Sequence, residues 1–90
     1  MAKINRRKAT DEEKANSQQW EVWESGDVDR FEYQYDQSVH FIVQAGRAII
    51  FGQDDHPVAI EPGDHVTIEK GFDGIWEISS AIVNRYEYLT

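Results

Sequence analysis

Cysteine is absent from this chain of 90 residues, which rules out a disulfide framework, a thiolate metal site and a cysteine nucleophile. No apolar run approaches the roughly 18 residues of a membrane span, and residues 1–15 lack the apolar stretch of a secretory signal. A soluble, cytoplasmic protein without a membrane partner is expected. Bases are also scarce: nine Lys and Arg stand against 17 Asp and Glu, for a net charge of −8. Five of those bases fall within residues 1–14, so the remainder is more acidic than the average suggests. An acidic body repels phosphate backbones, and Arg6-Arg7-Lys8 reads as a solvated terminal tail, so no nucleic-acid partner is expected. Neither a Gly-x-Ser-x-Gly elbow nor a glycine-rich phosphate loop is present.

What the chain does have is aromatic residues and short alternating segments. Ninety residues make one domain, and so short a chain hides only about 60–65% of the surface its unfolded form exposes. Three Trp, four Tyr and four Phe offset this, because each ring can remove roughly 150–250 Å² from water. Residues 1–9 are polar. Thr10-Asp11-Glu12-Glu13 then reads as a capping box opening a short surface helix over residues 11–19. From Trp20 the period changes to two, with predicted strands at residues 20–23, 31–35, 39–43, 47–51, 58–60, 66–68, 75–78 and 81–89. Turns are predicted at Ser25-Gly26-Asp27, Ala45-Gly46, residues 53–57, Pro62-Gly63, residues 71–74 and Ser79-Ser80. Short strands with turns every eight to twelve residues indicate an all-β sandwich or barrel. The domain division is a polar arm and short helix over 1–19, then a β-barrel over 20–90.

Trp20-x-x-Trp23-Glu24, Phe31-Glu32-Tyr33, Val43-Gln44-Ala45-Gly46, Pro62-Gly63-Asp64, Lys70-Gly71 and Trp76-Glu77-Ile78 occur in an order that resembles small cupins. The similarity is to the family of ureidoglycine aminohydrolase-like and ethanolamine-utilisation-type cupin domains, and it covers about 70 residues. It implies a small jelly-roll-like β-barrel preceded by a short helix. Cupins carry two metal-binding motifs, G-x5-H-x-H-x3,4-E-x6-G and G-x5-P-x-G-x2-H-x3-N. With Gly46 closing the first, the histidine places hold Tyr33 and Tyr35, the glutamate place Val39, and the opening glycine falls one residue from Gly26. In the second, Gly63 and Gly71 match, whereas Glu69 replaces proline, Gly74 the histidine and Ile78 the asparagine.

A divalent transition metal needs several imidazole or carboxylate donors converging at about 2 Å. Two phenols, an isopropyl group and a glycine do not supply them, so no metal and no cofactor are expected. His40, His56 and His65 lie on separate segments and read as hydrogen-bonding histidines. No catalytic residue can be named from the sequence.

In the resemblance's register the interior is lined by Phe31, Tyr33, Tyr35, Val39, Phe41, Val43 and Trp76. Of these, Tyr33, Tyr35, Val39, Phe41 and Trp76 are the candidates for a pocket holding a small organic ligand such as a sugar, acid or ureide. The competing reading is an interior that its own side chains fill. Trp20 and Trp23 point to opposite faces of one strand, one inward and the other under the helix or at a subunit contact. Since cupins often pair through strand exchange, a homodimer is expected. Three functions follow: a metal-free binding or accessory protein, a metal-independent aminohydrolase or epimerase working through Tyr, His or carboxylate groups, or an interaction protein.

Overall fold

The computed structural model describes residues 3–52 and 57–89. The predicted capping box is present. Thr10 Oγ1 accepts from the Glu13 amide at 3.1 Å, and Glu13 returns a carboxylate oxygen to the Thr10 amide at 2.9 Å. It opens α1 (Asp11–Asn16), which runs into a 3-10 turn over Ser17–Gln19. The other elements are β1 (Ile4–Lys8), β2 (Glu21–Glu24), β3 (Arg30–Gln34), β4 (Ser38–Phe51), β5 (Val58–Ile60), β6 (Asp64–Ile68) and β7 (Asp73–Leu89). All pairings are antiparallel, in the order β1-β6-β4-β7-β2, with β3 added to β7 and β5 to β4. The all-β class with one short helix stands. The predicted turn at residues 53–57 falls almost wholly outside the described residues.

Two predicted turns are corrected. Residues 38–51 form one strand, and Ser79-Ser80 lies within another. The ladder between β4 and β7 slips at Val43/Ala45, Ala45/Arg47 and Arg47/Ala48. Bulges of this kind bend a strand and strengthen its twist without ending it. The inward positions therefore switch from odd (Val39, Phe41, Val43) to even (Ala48, Ile50) across the bend, all of them buried. Gly46 sits at the bend with φ +89°, where a Cβ would meet the Ala81 carbonyl oxygen at 2.0 Å, so only glycine fits. A hairpin and a bulged bend use the same residue type, which is why the sequence reads as a turn.

The polar amino-terminal arm is likewise no solvated tail. Residues 4–8 pair with β6 from Ile4↔Ile68 to Lys8↔Asp64. Its bases meet acids at every step. Arg7 forks onto Glu13 at 2.7 and 2.6 Å, and Lys8 Nζ lies 3.0 Å from Glu61 and 3.1 Å from fully buried Asp64. Arg6 also reaches Asp64, at 3.4 Å. Burial works to raise the Asp64 pKa, but the Glu61 amide, Lys8 and Arg6 outweigh it and hold the carboxyl below its ordinary value.

One core fills the concave side, with Ile50, Val66, Ile68 and Ile82 fully enclosed. On the convex side, Ile42 is 1% exposed and stands apart from that core. Its register partners on that side are His65 and Arg85, and the Arg85 guanidinium donates to the Trp20 carbonyl at 3.2 Å.

Candidate functional site

Register assembles the site. In antiparallel pairs, directly opposed residues share a face. Phe31 opposes Trp76 and Tyr33 opposes Gly74 on the β3–β7 ladder. Val39, Phe41 and Val43 oppose Tyr88, Tyr86 and Asn84 on the β4–β7 ladder, while Trp23 opposes Asn84 from β2. A straight strand rising about 3.3 Å per residue would hold Trp76 and Tyr86 roughly 33 Å apart. The bend in β7 instead turns both toward one cavity of about 160 Å³. A void of about 150 Å³ is known to accept benzene.

Tyr33, Tyr35, Val39, Phe41 and Trp76 all border this cavity. Tyr35, Val39, Phe41 and Trp76 are buried, whereas Tyr33 is 44% exposed and forms part of the rim. Four further aromatic side chains, Trp23, Phe31, Tyr86 and Tyr88, complete the wall with Asn84. Phe31 belongs to the interior set expected from the sequence; Trp23 is one of the two tryptophans left open there. Asn84, Tyr86 and Tyr88 escaped sequence reasoning. Their alternation, Asn84-x-Tyr86-x-Tyr88, is visible in the chain, but nothing local says which face turns inward. Val43 packs in the core and does not line the cavity.

The rings brace one another. Phe31 stacks on Trp76 at 5.3 Å with 19° between planes, and Trp23 lies 5.7 Å from Trp76. Tyr33 meets Tyr35 edge-on at 4.7 Å. Trp76 Nε1 donates to the Tyr35 hydroxyl at 3.0 Å, which satisfies the indole and leaves the phenol proton free to donate. Burial above all pushes the Tyr35 phenol well above its usual range, so it stays neutral at any physiological pH. Asn84 is 3% exposed and its Oδ1 has no hydrogen-bond partner. None of the lining side chains is a base or an acid.

The model of the EutQ-like cupin domain matches residues 12–86. The chain belongs to that family. A DUF861 family protein from Thermotoga maritima superposes with a TM-score of 0.88 at 25% identity, over 97% of this chain and 100% of the other. A protein of unknown function (DUF1255) from Acidithiobacillus ferrooxidans shares the fold alone, with a TM-score of 0.62 at 12% identity over 64% of this chain and 56% of that one. No curated protein matches.

Metal binding is the chemistry most associated with cupins, and the residues present do not fit it. Tyr33, Tyr35 and Val39 border the cavity without an imidazole or carboxylate among them. Gly74, at the remaining ligand place, offers no donor and is closely packed. A Cβ there would lie 3.0 Å from the Phe72 ring and 3.6 Å from Ile50 Cγ2. Among the described residues, no cluster of three or more His, Cys, Asp or Glu side chains has metal-binding geometry.

The convex face of this cupin brings together two of the three histidines that the sequence leaves on separate segments, His40 and His65. β4 and β6 are neighbours, so His40 Nδ1 comes within 3.2 Å of His65 Nε2, and His40 Nε2 within 2.9 Å of Glu87. Trp20 caps the pair, its ring 4.3 Å from that of His40, whereas Trp23 faces inward. Burial first, then Arg7, lowers the His65 pKa. His56 lies outside the described residues. Among the described residues, no helix is long and apolar enough to cross a membrane.

Proposed function

We propose that this cupin domain is a metal-free binding module that takes a small organic molecule into its ring-lined cavity. The observation that carries the reading is an interior its own side chains leave unfilled, about 160 Å³ walled largely by aromatic rings. Small barrels normally fill themselves. The Tyr35 hydroxyl, on a residue that lines this space, keeps a proton to give. A few polar groups among apolar walls are the usual composition of a small-molecule site.

Catalysis finds less support. A general base must hold a titrating group near the working pH, and Tyr35 is driven away from it. The His40–His65 pair sits on the opposite face from Phe41 and the cavity. The basic residues of β1 that would attract a nucleic acid are engaged by Glu13, Glu61 and Asp64.

Trp76 provides the test, because its indole N–H gives a resolved NMR signal and its partner, Tyr35, lines the cavity. A set of neutral, cationic and anionic compounds of about benzene's size is titrated into isotopically labelled protein. At least one is expected to shift the Trp76 indole signal saturably, and Val39→Phe, which narrows the cavity, should weaken that response. If no compound moves the indole signals of Trp76 or Trp23, the binding reading is wrong.

A further inference from the structure

His40 and His65 meet on the convex face, and the way they meet limits how many protons they can hold. We propose that they form a proton-operated switch at the seam between the barrel and its amino-terminal arm. With no added proton or one, the two rings share an N–H···N bond. A second proton parts them and turns His65 toward Glu13 on α1. The switch is independent of the cavity on the opposite face.

The partners dictate where the hydrogens sit. A carboxylate only accepts, so His40 Nε2, 2.9 Å from Glu87, carries a hydrogen. In a neutral ring Nδ1 is then the acceptor, and His65 Nε2, 3.2 Å away, donates to it. One added proton still leaves a single hydrogen between the facing nitrogens, whichever ring takes the charge. Two added protons put a hydrogen on each of them, so the bond is lost and two cations oppose each other.

The surroundings offer each charged ring its own carboxylate. The charged groups facing the pair are Glu87 from β7, Glu13 from α1 and Arg7 from β1. His40 stands directly opposite Glu87 on the β4–β7 ladder and already bonds to it. His65 Nε2 lies 3.9 Å from Glu13 Oε2, a distance that a small rotation of the ring closes. Burial and then Arg7, its register partner, oppose charge on His65, so the second proton enters only under acid. The Glu13 carboxyl, held down at about 2, is still ionised there and can receive the ring. Arg7 and His65 then share one carboxylate, which loosens the fork that ties β1 to α1.

Nitrogen-15 NMR of the imidazole rings reads the position of each proton. At neutral pH, His40 should carry its hydrogen on Nε2 with Nδ1 bare, and His65 should carry one on Nε2. On acidification the folded protein should take up two protons in steps at least about ten-fold apart in proton concentration, as coupled groups do. His40→Asn keeps an acceptor near the place of Nδ1 but cannot be charged. In that variant His65 should titrate in one step, at higher pH than the second wild-type step. Glu13→Gln removes the receiving carboxylate and should push the second step to lower pH. Independent titration of the two rings in wild type, or a His65 titration that His40→Asn leaves unmoved, overturns the switch. A second step unchanged in Glu13→Gln refutes the turn toward α1. Where a variant fails to fold, the wild-type titration decides the matter.

Discussion

Tyr35 and Trp76 show how one hydrogen bond gives the cavity its polarity. The indole spends its only donor on the phenol oxygen, and the phenol hydrogen remains uncommitted. Tyr35→Phe would leave a buried indole N–H without an acceptor, a loss of about 1–3 kcal/mol. Tyr33→Phe removes a hydroxyl at the half-exposed rim and should stay within about 0.5 kcal/mol of wild type. Urea denaturation of the two variants at pH 7 checks this. Equal effects would show that the Trp76–Tyr35 bond contributes nothing special. The same pair marks how far residue-level reading reaches. Both were identifiable as inward-facing from aromatic alternation and from the resemblance to cupins. Asn84, which lines the same cavity, was not, because a single polar residue in a strand carries no sign of whether water or a cavity lies above it.

At the scale of elements, the decisive feature is the bend shared by β4 and β7. It converts two long strands into opposing walls, and without it Trp76 and Tyr86 could not border the same space. Gly46 is its pivot. Gly46→Ala adds a Cβ where the Ala81 carbonyl oxygen stands and requires a left-handed conformation that alanine resists. The expected loss is roughly 3 kcal/mol, with the Trp76 indole signal displaced as the walls shift. Thermal denaturation with the matching NMR spectrum tests it. Unchanged melting would mean the bend tolerates a side chain after all. Sequence reasoning found the residue but mistook its task, since a positive φ serves a hairpin and a bulge equally.

The molecule as a whole ties its amino-terminal arm down with charge, and that tie depends on pH. Hydrogen bonds from the Arg7 guanidinium, then from the Thr10 amide, hold the Glu13 carboxyl down at about 2, against an ordinary 4.5. A depressed carboxyl contributes stability in full above its unfolded value and loses it as pH falls toward the folded one. The Glu13 contribution therefore fades between about pH 4.5 and 2. His65 acts in the same direction from higher pH. Its folded pKa lies below the ordinary 6.5, so protonation as pH drops below that value favours the unfolded chain. Relaxing self-repulsion among 17 acids opposes both trends. Glu13→Gln should thus melt lower than wild type at pH 7, and the gap should close by about pH 2. Melting temperatures across that range measure it, and a gap independent of pH would show that Glu13 acts through packing.

The period-two pattern, the capping box, the aromatic-rich interior and the poverty of metal donors were all legible in the chain alone. Each is a property of neighbours in sequence, so local chemistry determines it. The tertiary structure decided what pairing across tens of residues must settle. It took a polar arm into the sheet because acids distant in the chain meet its bases. It set His40 beside His65 because β4 and β6 are adjacent. It left about 160 Å³ open because the bend holds the two walls apart. An empty space belongs to no residue, and only the packing of all of them reveals it.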